Sequence, residues 1–289
     1  MITVILSGGL GNQMFQFAAA RSLSLKLNCR MSVDLYQLTK RSSAIHRDYQ
    51  LDIFDADIQI TGNWKVKLIV KTFPYLYNKS WGKKLLSRWK VFKNEYSYDK
   101  RFESLTDNTI LFGYFQNEEY FREYKSQIRK DFTFKNELGG KNKDIAKKIS
   151  EIESVSIHIR RTDYMSASST LAVLDMAYYQ QAINLIRQKV TNPFFFIFSD
   201  DIEWVRDNLN VGSLPHLFID WNRGEESYID MQLMSLCKHN ITANSSFSWW
   251  GAWLNNNEKK IVIAPSMWYK NQVGVKDAEE FLADGWTMI

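Results

Sequence analysis

Cysteine is scarce: only Cys29 and Cys237 occur in 289 residues. They lie far apart and in no Cys-x-x-Cys pair, which argues against a disulfide framework and against a structural zinc site. A reducing compartment is the expectation. The N-terminal apolar run, Met1 to Leu6, stops at Ser7-Gly8-Gly9 and is too short for a signal-peptide core or a spanning helix. The chain is therefore expected to begin here and to be cytoplasmic. His-Glu-x-x-His, the Gly-rich loop ending in Gly-Lys-Ser and Gly-x-Ser-x-Gly are all missing, so zinc-peptidase, P-loop and serine-hydrolase readings have no footing.

What is present is a chain with 45% apolar residues and a formal charge of +5, long enough to bury a sizeable core in two domains. Acidic residues are nearly absent from one stretch: residues 61 to 101 hold 11 Lys/Arg against Glu95 and Asp99 alone. It is also rich in aromatics, and Trp81, Leu85 and Trp89 share a helical face. A basic amphipathic helix of this kind is a candidate for peripheral contact with an anionic membrane. The alternative is a solvated helix that packs its aromatic stripe on its own domain.

The second half reads as strand-then-helix repeats. Apolar runs at 155–160, 194–198, 217–219, 241–243 and 261–264 alternate with helical spacing over Tyr178 to Val190, Ile202 to Leu209, Tyr228 to Cys237 and Phe247 to Leu254. That order predicts a parallel α/β sheet. The first half opens with a strand over Ile2 to Leu6, a Gly-rich turn and a helix from about Asn12 to Leu27. A strand over Ile110 to Phe115 and a charged helix from Glu118 to Arg129 come later. The polar segment Lys135 to Lys148 contains Gly139-Gly140 and marks the boundary between residues 1–140 and 141–289. Two such lobes facing a cleft would place ligands beyond the carboxyl ends of the strands.

Strand ends therefore carry the weight. Around Ser154 to Arg160, alternation puts Ser156, His158 and Arg160 on one face. A buried His and Arg need a partner that takes several charged hydrogen bonds, and a diphosphate is one. Arg161 and Asp163 follow directly. The competing reading is a structural Arg–Asp pair beside a satisfied core histidine. Asn244-Ser245-Ser246-Phe247-Ser248 runs into a helix, and its hydroxyls and free N–H groups make an anion site. Asp230 opens a helix and could accept the paired N–H groups of guanine. Ser199-Asp200-Asp201 reads as a helix cap with a carboxylate in reach of a ribose. The opening turn Gly8 to Gln13 lacks the third glycine of a dinucleotide fingerprint, where Met14 stands. A nicotinamide site is thus disfavoured, and Asn12 and Gln13 offer amides at the helix start.

Taken in order along the chain, GGLGNQMFQFAAARSL (8–23), GYFQNEEYF (113–121), HIRRTDY (158–164), FSDD (198–201) and NSSFSWWGAWLN (244–255) resemble the bacterial α-1,2-fucosyltransferase family. The HxRRxD block is also similar to that of the α-1,6- and protein O-fucosyltransferases. The resemblance implies a GT-B-like fold of two Rossmann-type lobes. It implies GDP-β-L-fucose as donor, inversion at the anomeric carbon, no cofactor or metal, and a galactose-terminated glycan as acceptor through its 2-hydroxyl. Carried over by position, Arg160 would neutralise the β-phosphate with His158 beside it. Ser245, Ser246 and Phe247 would meet the diphosphate, and Asn12 would approach from the other lobe. Asp230 would read guanine. Asp55-Ala56-Asp57 matches a metal-holding pattern of another glycosyltransferase class, but reads as a surface acidic turn.

Without a metal, leaving-group charge must be met by arginine and helix N–H groups. Asp163 or His158 is the candidate base, with a base-free dissociative path also open. Two other readings stand beside this one: an enzyme using another GDP-sugar, and a non-enzymatic glycan-binding or nucleic-acid-binding protein that exploits the 10 Trp residues. The fucosyltransferase reading itself expects no nucleic-acid partner.

Overall fold

The structure is a computed structural model that describes residues 1–39, 47–94, 97–165, 170–270 and 278–289. Glu95 and Tyr96 of the basic stretch lie outside the described residues. Two compact units, Met1–Lys135 and Asn136–Ile289, make up the chain.

In the first unit, β1 (Ile2–Ile5) leads into α1 (Leu10–Lys26), then β2 (Met31–Asp34), α2 (Trp64–Tyr77), α3 (Ser80–Arg88), β3 (Val91–Lys93), β4 (Ile110–Phe112) and α4 (Lys125–Asp131). The four strands run parallel in the order β2-β1-β4-β3. Helix α1 is apolar on almost every side because it is enclosed: Met14, Phe15, Phe17, Ala18 and Ala19 are at most 1% exposed. Phe17 and Phe54 both pack on Phe132, with ring centroids 5.5 and 4.9 Å apart.

The charged helix expected over Glu118 to Arg129 is not continuous. Two short 3₁₀ turns, Glu118–Tyr120 and Arg122–Tyr124, precede α4. The consecutive rings of Tyr120 and Phe121 are both buried, and Phe121 leaves helical geometry at φ −140°, ψ 13°. Core packing therefore overrides helical propensity in that segment.

The second unit continues with α5 (Gly140–Glu151), β5 (Ser154–Ile159), α6 (Met176–Lys189), β6 (Phe194–Ser199), α7 (Ile202–Asn208), β7 (His216–Ile219), α8 (Tyr228–Leu236), β8 (His239–Ile241), α9 (Ser246–Leu254), β9 (Val262–Ala264) and β10 (Thr287–Met288). All six strands are parallel, in the order β10-β9-β8-β5-β6-β7. Val155, Ile157 and Ile159 of β5 pack with Tyr179, Ile183 and Ile186 of α6 in one core cluster. The other side of β5 carries polar residues that are equally buried, as expected for a strand covered on both faces. Asn240 donates to the Ser156 hydroxyl at 2.8 Å, and the Ser154 hydroxyl accepts the Lys238 N–H.

Strand order reverses at one point in each sheet. In the second unit the chain builds outward from β5 through β6 to β7, then returns to lay β8, β9 and β10 on the opposite side of β5. In the first unit the same reversal separates β1 from β4. Diverging connections at such a point leave a crevice beyond the carboxyl ends of the two strands.

Candidate active site

Arg160 stands one residue past β5, at the reversal point of the second unit. Its Nε donates to Asp163 Oδ1 at 2.9 Å and its Nη2 to Oδ2 at 2.8 Å, a bidentate fork that fixes the guanidinium plane. Asp200 lies 3.3 Å from Nε on the other side. Its carboxylate also accepts the backbone N–H groups of Arg161 and Thr162 at 2.9 and 3.1 Å, together with the Thr162 hydroxyl. Parallel pairing of Ile159 with Ser199 brings Asp200 there. Arg160 keeps 23% of its side-chain surface exposed, and its Nη1 has no hydrogen-bond partner among the described residues. The Arg–Asp pair and the anion-binding arginine, alternatives in the sequence, are thus compatible: one edge of the fork is held while the other is open.

His158 is 4% exposed, and its ring lies 5.6 Å from that of Phe247. Burial, reinforced by the Arg160 charge, holds its pKa down at about 4. The imidazole is neutral at physiological pH, and its buried Nδ1 has no partner among the described residues. Among the described residues nothing satisfies that nitrogen as the core-histidine reading requires.

Beyond β8, the block Asn244 to Ser248 divides its duties. Ser245 is the N-cap of α9 and accepts the Phe247 N–H. Ser248 is 2% exposed, and its hydroxyl is shared between the backbone N–H and C=O of Ala243. Two of the three serines thus shape the turn. Ser246 alone carries a hydroxyl without a hydrogen bond among the described residues, and it stands at the positive end of the helix dipole. The Tyr164 hydroxyl donates to Asn244 O at 2.9 Å, which ties the loop after β5 to the loop after β8. Replacing Ser245 with Ala is expected to cost about 1 kcal/mol through loss of the cap, seen as a melting temperature lower by about 2–4 °C. Ser246→Ala should leave the melting temperature unchanged.

Asp230 lies in the first turn of α8. Asn222 donates to its Oδ1 at 2.8 Å. Asn142 in turn donates to Asn222 Oδ1 at 2.8 Å, and Asn142 Oδ1 accepts from Trp221 Nε1 at 2.8 Å. Burial pushes the Asp230 carboxyl up to about 7 against the stabilising bond from Asn222. This network draws on three separate segments. No local pattern announced Asn142, Trp221 or Asn222.

Three of the other residues expected at the site are turned to structural work. The Arg161 guanidinium stacks 3.6 Å over the Trp204 ring and pairs with Asp201 at 3.1 Å, so it grips α7 rather than sharing Arg160's open edge. Ser199 caps the turn into α7 by accepting the Asp201 N–H at 3.0 Å. Gln13 is fully buried. Its amide donates to Gly8 O and Asp48 O and accepts from Gln50 N, which binds a loop to α1 and leaves nothing for a ligand.

Asn12 stands at the reversal point of the first unit. Its Oδ1 accepts from Gln116 Nε2 at 2.7 Å, and its Nδ2 has no partner among the described residues. Gly8 makes the turn possible: it sits at φ +76°, and a Cβ there would lie 2.5 Å from Asn12 Nδ2. Across the reversal point, Phe115 sits at φ +55°, costly for an aromatic residue. The buried Asn94 side chain holds it there by accepting its N–H at 3.0 Å. The signal for Gln116 was visible in GYFQNEEYF. Asn94 carried none.

Asp55 and Asp57 are exposed, and among the described residues no three His, Cys, Asp or Glu side chains are placed to share a metal.

An alpha-1,2-colitosyltransferase of Escherichia coli is 35% identical over 278 residues, covering 94% of this chain and 93% of that protein. The O-antigen biosynthesis glycosyltransferase WbnK of Escherichia coli is 34% identical over 290 residues, covering 91% and 93%. The galactoside alpha-(1,2)-fucosyltransferase 1 of Saimiri sciureus is 25% identical over 145 residues, covering 47% of this chain and 40% of that protein. The family model of glycosyl transferase family 11 matches residues 1–289. The protein is a member of glycosyl transferase family 11.

Proposed function

We propose that the protein transfers a 6-deoxy-L-galactose-type sugar, with L-fucose the first choice, from its GDP donor to the 2-hydroxyl of a terminal β-galactose, with inversion and without a metal. One observation carries the reading. At the reversal point between β5 and β8, a fork-held arginine with an open edge and a helix N-terminus with a free serine hydroxyl are joined by the Tyr164–Asn244 bond. A departing diphosphate needs that combination: a fixed cation and N–H donors that do not reorganise as charge develops.

In this reading Arg160 neutralises the β-phosphate through Nη1, while Ser246 and the first N–H groups of α9 take the remaining oxygens. Phe247 packs beside His158 and shields the site. Asp230 accepts the N1–H and N2–H of guanine, a pairing that needs the ionised carboxylate. Asp163, with both oxygens on Arg160, is a positioning residue. That leaves the neutral imidazole of His158 as the remaining candidate to take the acceptor proton, and its lowered pKa favours a dissociative path that needs no base.

Colitose is fucose without its 3-hydroxyl, and the name of the colitosyltransferase makes GDP-colitose the specific alternative donor. The test is release of GDP from each donor, in EDTA, with and without a β-galactoside. Acceptor-stimulated release from GDP-fucose supports the reading, and preference for GDP-colitose replaces the donor. Absence of GDP binding would undo the whole assignment.

A further inference from the structure

The helical pair α2 and α3 has a face that the active-site reading does not use. Val66, Ile69, Phe73 and Leu76 point inward and are at most 7% exposed, where they pack with Ile5, Leu86 and Ile110. The opposite side of α2 is not the polar surface that an ordinary amphipathic helix presents. At 100° per residue, Trp64, Leu68 and Tyr75 fall within about 40° of one another, opposite the buried set. They are 68%, 37% and 62% exposed. Trp81 of α3, 54% exposed, extends the ridge, its ring 6.0 Å from that of Tyr75. The two helices are held as one body at Gly82, where a Cβ would lie 2.1 Å from Leu76 O.

The charge around this ridge has one sign. Seven Lys and Arg side chains between Lys65 and Arg88 are exposed, and no Asp or Glu occurs between Asp57 and Glu95. Lys65 lies 5.9 Å from the Trp64 ring centre and Lys79 5.8 Å from that of Tyr75, so cations and rings share one surface. No helix among the described residues is long and apolar enough to cross a membrane, so such a surface would rest on a bilayer rather than enter it.

We infer that the outer face of α2 and α3 docks on an anionic lipid bilayer, with Trp64, Tyr75 and Trp81 at the headgroup level and the surrounding lysines on lipid phosphates. Exposed Trp and Tyr are suited to that depth because one end of each ring system is apolar and the other polar. Lysines ringing them add attraction to a negative surface within a Debye length. A second copy of the chain does not fit: a two-fold contact would set the basic face against itself. Single-stranded nucleic acid matches the charge and the rings but gives no role to Leu68. The inference does not depend on the identity of the donor or acceptor sugar.

The experiment is co-sedimentation of the full chain with phosphatidylglycerol and phosphatidylcholine vesicles, alongside titration with a single-stranded oligonucleotide. Binding to phosphatidylglycerol at least 10-fold tighter than to phosphatidylcholine is expected, falling as salt is raised. A Trp64→Ser/Tyr75→Ser/Trp81→Ser variant should lose at least 10-fold of it. A second variant, Lys65→Gln/Lys71→Gln/Lys79→Gln/Lys83→Gln, keeps the rings and should bind both vesicles equally weakly. All replaced side chains are exposed, so melting temperature and release of GDP with a soluble acceptor should match the parent. No binding to phosphatidylglycerol, unchanged binding in the aromatic variant, or tighter binding to the oligonucleotide than to vesicles would each overturn the inference.

Discussion

Arg160→Lys is expected to lower transfer by about 10²- to 10³-fold, the loss typical when one preorganised electrostatic donor is removed from a transition state. Lysine keeps the charge but not the fork. It cannot bond both oxygens of Asp163 and still present a second edge to a phosphate. The effect should fall mainly on kcat, because the charge on the leaving diphosphate grows as the glycosyl bond breaks.

Arg160→Ala is a poorer test. It removes the guanidinium that pairs with Asp163 and Asp200 in a partly buried site, a loss of about 3–5 kcal/mol for a fully buried pair and less here, where the side chains keep 16–23% of their surface. A melting curve separates the two outcomes. Turnover at the parent rate in a folded Arg160→Lys protein would remove Arg160 from the mechanism.

Asp230→Asn should weaken GDP binding by about 100-fold, the worth of two hydrogen bonds to a carboxylate that an amide cannot both accept, and should erase the preference for guanine over adenine diphosphate. The pH dependence supplies a second readout. With its carboxyl near 7, Asp230 is about half protonated at neutral pH in the unliganded protein. GDP affinity should then tighten from pH 6 to pH 8 in the parent and stay flat in the variant.

Stability moves the other way. The folded pKa is raised above the ordinary carboxyl value of 3.8, so the unfolded chain gives up its proton first as pH rises. Asp230 therefore costs the unliganded fold stability progressively between about pH 4 and 7. His158 has the opposite sign over nearly the same window. Its folded pKa of about 4 lies below the ordinary imidazole value of 6.5, so acidification from 6.5 to 4 protonates the unfolded state first and destabilises the fold, by at most roughly 3 kcal/mol over that gap. The two slopes oppose each other in the parent. Asp230→Asn should be more stable than the parent above pH 7 and should expose the acid sensitivity of His158 below 6. Parallel pH–melting profiles for parent and variant would contradict this assignment.

Much of the fold was legible because parallel α/β units write themselves in periodicity. The five C-terminal apolar runs lie within about two residues of β5 to β9, and the helical spacings between them coincide with α6 to α9. Where the reading failed, over Glu118 to Arg129, the deciding force was burial of Tyr120 against Phe102 and of Phe121 against Phe15, partners outside the segment. A charge-rich helical pattern carries no information about that.

At the site the sequence determined the chemical inventory: an arginine and a histidine at the end of one core strand, serines at one helix start and a carboxylate at another. Tertiary structure alone decided which of these remain free. Arg160 and Arg161 are neighbours of identical type, yet β6 sets two carboxylates and a tryptophan around them so that one keeps an open edge and the other is stacked on Trp204. Gln13 and Asn12 are likewise adjacent, and the helix turns one amide into the core and the other outward. Hydrogen-bond capacity belongs to the residue type and can be read in one dimension. Whether that capacity is already spent depends on partners that strand order and side-chain packing bring from 35 to more than 100 residues away.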